Sequence, residues 1–171
     1  MNIKRLTLIS LFTALIVVAT NVIPPIYIFS IPVTLQTLMV MITGIMLTPK
    51  DAFIAVFLYL VIGAIGLPIF SGFSGGIAIF AGPTGGFLIA FPLSAFLISL
   101  LKGNKPFWRL VSVNIIFGSL LVYIIGGISI SLVNKINYFN SLQSLLIFIP
   151  IDISKAIIAA FVGTKLKHVS Y

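Results

Sequence analysis

Six long apolar stretches run along the chain: Leu6 to Val22, Val33 to Leu47, Ala52 to Leu67, Phe87 to Leu101, Leu110 to Ile128 and Ser141 to Gly163. Each approaches the ~20 residues that a helix needs to cross a hydrocarbon core of ~30 Å. The breaks between them carry stop signals. Pro24, Pro25 and Pro32 impose an irregular connection after the first stretch, because proline cannot continue a helix. Thr48-Pro49-Lys50-Asp51 marks a turn at an interface. Pro68 to Gly86 holds Gly72, Gly75, Gly76, Gly82, Gly85 and Gly86 beside Pro68 and Pro83, a segment too flexible for a regular span. Lys102 to Arg109 is a basic loop in which Trp108 suits the aromatic belt of a membrane interface. Asn134, Lys135, Asn137 and Asn140 lead into the last stretch, and Lys165, Lys167 and His168 follow it. The pattern predicts an all-α integral membrane protein of six transmembrane helices, with one long loop between helices 3 and 4.

Composition fixes the class. With 60% hydrophobic and 7% charged residues and a mean hydropathy of +1.29, there is too little polar surface to coat a soluble globule. Residues 1–171 read as a single transmembrane domain with no room for a soluble catalytic one. Lys4 and Arg5 precede the first stretch in the manner of a signal peptide, but it outlasts an h-region and lacks a small-residue cleavage site, so it reads as a retained helix. Cysteine is absent, which excludes disulfide and thiol chemistry. The net charge of +8 comes with no basic run or nucleic-acid motif. It reports topology instead. With a cytoplasmic start, Lys4, Arg5, Lys50, Lys102, Lys105, Arg109, Lys165 and Lys167 share one side and Lys135 alone lies opposite, as the positive-inside tendency requires. Both termini are therefore expected in the cytoplasm of a cell-membrane protein. The Pro68 to Gly86 loop then lies outside, where it is expected to fold back as a lid over an outward-facing pocket.

Asp152 and Lys155 stand mid-span in the last stretch, in a chain with two acidic residues. An ionised group at that depth costs roughly 2.5–3.5 kcal/mol on insertion scales, so it normally faces a cavity or a partner. Spacing i, i+3 puts the two on one helix face. Two readings follow: a ligand-binding pair, or an ion pair that holds helices together. Pro150 removes a backbone donor and loosens the helix just before Asp152. Catalysis and metal binding are not expected, because only Asp51 and His168 remain as further acid–base groups and both sit at the cytoplasmic edge. The glycine-rich loop lacks the Lys-Ser/Thr ending of a phosphate-binding loop.

Four blocks, Pro32-Val33-Thr34-Leu35-Gln36-Thr37, Gly63 to Phe70, Gly82-Pro83-Thr84-Gly85-Gly86-Phe87 and Pro150-Ile151-Asp152-Ile153-Ser154-Lys155-Ala156, resemble in order the signature blocks of the BioY family. Members of that family are the biotin-binding S components of energy-coupling factor (ECF) transporters. Two positions depart from its pattern: Phe87 where tyrosine is frequent, and Ile151 where glycine often precedes the aspartate. The resemblance implies a biotin pocket in which Asp152 accepts from a ureido N–H and Lys155 donates to a ureido or valerate oxygen. Gln36 adds an amide contact, with helix–helix hydrogen bonding as its competing role. Phe73, Phe80 and Phe87 wall the thiophane ring, and Gly75 and Gly76 let the lid approach the ligand. It also implies no resident cofactor, and as partners a transmembrane coupling subunit and two ATPases that use ATP. Ser10-x-x-x-Ala14 on helix 1 is the expected docking face, whereas Ala156, Ala159, Ala160 and Gly163 are expected to pack internally. An S component for another small vitamin, or a membrane scaffold with a purely structural ion pair, are the alternatives.

Overall fold

The structure, a computed structural model, describes residues 3–22, 24–28, 31–104 and 106–166. Lys105 and Lys167 of the basic tally, and His168, lie outside the described residues. Six helices are found among those described. α1 spans Ile3–Val22, α2 Gln36–Met46, α3 Pro49–Ala64, α4 Gly85–Leu101, α5 Phe107–Asn134 and α6 Tyr138–Lys165. α1, α5 and α6 are long and apolar enough to cross a membrane singly. Their outward faces stay apolar, with Leu11, Leu15, Val18, Ile124, Ile157 and Phe161 exposed, as expected where lipid rather than water is the neighbour.

The expected helix order holds, but several boundaries move for identifiable reasons. The connection after α1 is an antiparallel hairpin of β1 (Ile26–Ile28) and β2 (Ile31–Val33), with Ile26 opposite Val33 and Tyr27 opposite Pro32. Val33 therefore belongs to a strand, and α2 starts at Gln36 instead. Pro49 does not end a turn but opens α3, at the first helical position where its missing N–H is harmless and with Thr48 extended before it. α3 accordingly stops at Ala64, ahead of Gly66 with its positive φ of 110°. α5 and α6 outrun the expected spans at both ends. Within α5, Asn114–Leu120 winds as a π-helix; within α6, Leu146–Phe148 is a 3₁₀ turn that ends two residues before Pro150, the local loosening that proline causes.

α2 is the short element that creates space. Its 11 residues span roughly 16 Å at 1.5 Å per residue, about half a hydrocarbon core of ~30 Å. The remaining depth above its N-terminus is occupied by the hairpin and by the segment between α3 and α4. That segment folds inward rather than hanging outside. Phe70 is buried against Tyr59, ring centroids 5.3 Å apart and edge-on, and a Cβ on Gly63 would lie 2.2 Å from the Phe70 ring. Asn21 at the end of α1 donates to the Ile69 carbonyl at 2.9 Å and accepts from Phe73 N–H at 3.2 Å. Ile77–Ala81 forms a 3₁₀ turn, so the loop is partly regular. At the opposite end Lys102, the first residue of the basic loop, is buried and donates to the Ile45 carbonyl at 2.9 Å and to that of Leu47. It thereby satisfies carbonyls that the end of α2 leaves unpaired.

Candidate functional site

Three segments enclose a cavity of about 360 Å³ beneath the hairpin and the α3–α4 loop, within the range typical of small-ligand sites. The hairpin supplies Tyr27, Ile31 and Pro32; the loop supplies Phe70, Ser71, Ser74 and Pro83; the helices supply the rest of the wall and the floor. The π-helical stretch of α5 brings Gly118 to this wall, where a side chain would collide with Met41, 2.7 Å away. The lining is mainly apolar; Thr34, Gln36, Ser71, Ser74 and Thr84 add neutral polar groups around it, and the charged ones gather at one place.

That place is the Asp152–Lys155 pair. Both side chains are buried and both line the cavity. Lys155 Nζ lies 2.9 Å from Asp152 Oδ1 and 2.9 Å from Thr37 Oγ1. The second carboxylate oxygen accepts from the Tyr123 hydroxyl. Four residues from three helices thus form one continuous hydrogen-bonded chain, and each charge is offset by its neighbour. A carboxylate oxygen accepts more than one hydrogen bond, and an ammonium has three donors. The network keeps capacity for a polar ligand.

Gln36 borders the cavity, but its amide nitrogen donates to Tyr59 Oη at 2.9 Å, so the helix–helix contact weighed for it is present. Phe87 lines the cavity as expected. Phe73, Gly75 and Gly76 do not line it. Phe73 is 69% exposed with φ 55°, on the outer side of the loop. A Cβ on Gly75 would lie 2.2 Å from the Leu67 carbonyl oxygen, so its close approach is to the loop's own backbone. Gly76 has φ 102° and donates its N–H to the Gly63 carbonyl at 2.7 Å. Phe80 packs on Phe70 at 5.8 Å. The loop residues singled out for the ligand therefore shape the lid, and Phe70, Ser71 and Ser74 face inward instead. Ser71 Oγ is shielded and has no hydrogen-bond partner among the described residues, which leaves an unsatisfied polar atom at the cavity.

Tyr123, Thr37 and Tyr27 were not singled out from the sequence. Tyr123 had a usable signal: a hydroxyl within an apolar span needs a partner, and Asp152 is the acidic group at similar depth. Ser10 and Ala14 are exposed on α1, whereas Ala156, Ala159, Ala160 and Gly163 are buried inside the bundle, as expected for internal packing. Among the described residues no group of His, Asp or Glu side chains is arranged to hold a metal ion.

Comparison with known proteins gives a consistent result. The BioY family model matches residues 1–170. A probable biotin transporter BioY of Pyrococcus horikoshii is 36% identical over 169 residues, covering 98% of each chain. The biotin transporter BioY of Rhizobium etli is 36% identical over 174 residues, covering 95% of this chain and 92% of its own. The crystal structure of the S-component for biotin from an ECF-type ABC transporter superimposes with a TM-score of 0.90 at 33% identity, over 97% of this chain and 92% of that one.

Proposed function

The chain belongs to the BioY family, and from that premise we propose that it is the biotin-capturing S component of an ECF-type transporter. It is a multi-pass cell-membrane protein, not an enzyme. Biotin is its cargo, and a transmembrane coupling subunit with ATPases supplies the energy for uptake.

The observation that carries this reading is the buried Asp152–Lys155 pair at a cavity of ligand size. Biotin presents two ureido N–H donors, one ureido carbonyl, an apolar thiophane ring and a valerate carboxylate. In our reading Asp152 accepts a ureido N–H while Tyr123 holds its other oxygen, and Lys155 donates to a biotin oxygen while Thr37 fixes the ammonium. These are charge-assisted bonds in a water-poor site, the strong class. Phe70, Phe87, Phe91 and Val122 supply an apolar wall suited to the thiophane. The hairpin and the α3–α4 loop close over the ligand from the outer side of the membrane. The basic end, with Lys4, Arg5, Lys50, Arg109 and Lys165, faces the cytoplasm by the positive-inside tendency. The exposed Ser10–Ala14 face of α1 is the surface on which the coupling subunit packs.

Equilibrium binding of biotin to the purified protein tests this. Saturable binding that excess riboflavin or thiamine does not displace is the expected result. Binding of another vitamin with none of biotin reassigns the cargo within the same transporter class, and a protein that binds neither is a scaffold with a structural ion pair.

A further inference from the structure

Asn21, in the last turn of α1, has every polar position of its carboxamide engaged. Nδ2 donates to the Val17 carbonyl at 3.1 Å and to the Ile69 carbonyl at 2.9 Å, and Oδ1 accepts from Phe73 N–H at 3.2 Å. The orientation of the amide is thereby fixed, since the reverse would set its oxygen against two carbonyls and its NH₂ against an N–H. Val17, one helical turn earlier, holds the side chain in place. The other two bonds reach across 48 and 52 positions of sequence. They grip both flanks of residues 70–72, of which Phe70 and Ser71 line the cavity.

The gripped segment is a tight turn. Phe70 N–H donates to the Ser74 carbonyl at 2.9 Å and Ser74 N–H to that of Phe70 at 3.3 Å, with Gly72 at φ 71° and Phe73 at φ 55° between them. Positive φ is disfavoured for a residue with a Cβ, and the bond from Phe73 N–H to Asn21 offsets that cost. Burial of Ile69 and Phe70 also favours the closed turn. Apolar burial is non-directional, however, and does not fix where Ser71 points. Tyr59 reaches the Ile69 carbonyl too, but at 3.4 Å, beyond the usual length for a hydroxyl donor. Among the described residues Asn21 therefore supplies the directional hold on this turn.

We infer that Asn21 is a positioning residue for ligand retention: it latches the turn at 70–74 over the cavity, so that the rate of ligand escape is set from the end of α1. Asn21 does not line the cavity and acts through Phe70 and Ser71. The inference rests on the proposed function for the identity of the ligand alone; closure of the turn does not depend on it.

The chain has no cysteine, so single cysteines report opening. Ser71→Cys places a thiol on the cavity side of the turn, and Thr43→Cys places one in α2 at a fully buried position, reached only if the bundle itself loosens. In purified protein without ligand, adding Asn21→Leu should speed labelling of the first by a water-soluble maleimide about tenfold, as for loss of hydrogen bonds that hold the closed state, and leave the second unchanged. With Asn21→Leu as the sole substitution, bound labelled biotin should leave faster by a similar factor on a chase with unlabelled biotin, at an unchanged number of sites per protein. Labelling of Ser71→Cys at the same rate with and without Asn21→Leu overturns the latch. So does faster labelling at both cysteines, which makes Asn21 a residue of general stability. Faster labelling of Ser71→Cys with biotin release unchanged puts the exit elsewhere and overturns it as well. If the protein with Asn21 intact holds no biotin, the proposed cargo is refuted instead, and the two labelling rates decide for or against the latch on their own.

Discussion

Lys155 on α6 donates to the hydroxyl of Thr37 on α2 at 2.9 Å, across 118 positions of sequence. The same ammonium lies 2.9 Å from Asp152 Oδ1, so one cation joins the floor of the cavity to two helices. Its position is held by the packing beneath, where Ala156, Ala159 and Ala160 are buried in the bundle. Small residues there let α6 approach its neighbours closely. The bonded chain from Thr37 to Tyr123 is therefore a product of helix packing as much as of its own hydrogen bonds.

The pair gives the most direct test. Asp152→Asn and Lys155→Met should each weaken biotin binding about 10- to 100-fold, the range for losing a charge-assisted hydrogen bond of ~1.5–3 kcal/mol. Each also leaves a buried charge uncompensated. The double variant removes that charge problem, so it should fold in membranes yet still fail to retain biotin. Calorimetry showing full affinity in the double variant would mean the pair only holds helices together.

Tyr123→Phe isolates the second carboxylate oxygen. The hydroxyl fixes Asp152 Oδ2, and its removal leaves Lys155 on Oδ1 alone to orient the carboxylate while changing little volume. Biotin affinity should fall about tenfold, equivalent to ~1.4 kcal/mol, with little change in thermal stability without ligand. An unchanged affinity would assign Tyr123 to packing alone.

The class, the helix order and the charged pair were legible in the sequence because each has a strong local signal. Apolar runs report spans, and an acid–base pair at i, i+3 within a span reports side chains that face a cavity or a partner. Ile26 to Val33 misled at the start of α2 because a short apolar run suits a strand or a helix equally, and periodicity does not separate them. Thr48-Pro49 reads as a turn although proline is equally at home in the first turn of a helix. Thr37 and Tyr123 meet Lys155 and Asp152 only through tertiary packing, at separations of 118 and 29 residues. Glycine density announced close approach in the α3–α4 loop, but not that Gly75 approaches the Leu67 backbone instead of a ligand.

Gly75→Ala exposes that difference. Its added methyl would sit 2.2 Å from a backbone oxygen, which has no rotamer with which to move away. The loop must shift, at a cost of about 1–3 kcal/mol, and Phe70 with it. A lower melting temperature without ligand is expected alongside weaker biotin binding. Loss of affinity at unchanged melting temperature would instead return Gly75 to direct ligand contact.

Sidedness follows from the proposed cytoplasmic position of the basic end. Asn137, at the turn between α5 and α6, and Lys50, at the start of α3, are both exposed and lie at opposite ends. In intact cells a membrane-impermeant thiol reagent should label Asn137→Cys and spare Lys50→Cys until the membrane is opened. The reverse pattern would invert the topology and place the biotin cavity inside.

Ala14→Leu separates capture from coupling. Ala14 and Ser10 sit one helical turn apart on the exposed side of α1, where small side chains admit a close helix neighbour. The cavity lies elsewhere, and neither residue lines it. A leucine at position 14 therefore has room in the isolated protein, and biotin affinity should stay within about twofold, the spread expected of an exposed substitution away from the site. Against a coupling subunit packed on that face the same side chain overfills the contact and should weaken association by about 1–3 kcal/mol. Uptake by cells and co-purification of the coupling subunit should fall together while biotin binding persists. If uptake survives at the normal rate, the coupling subunit docks on another face of the bundle, and the exposed small residues of α1 simply meet lipid.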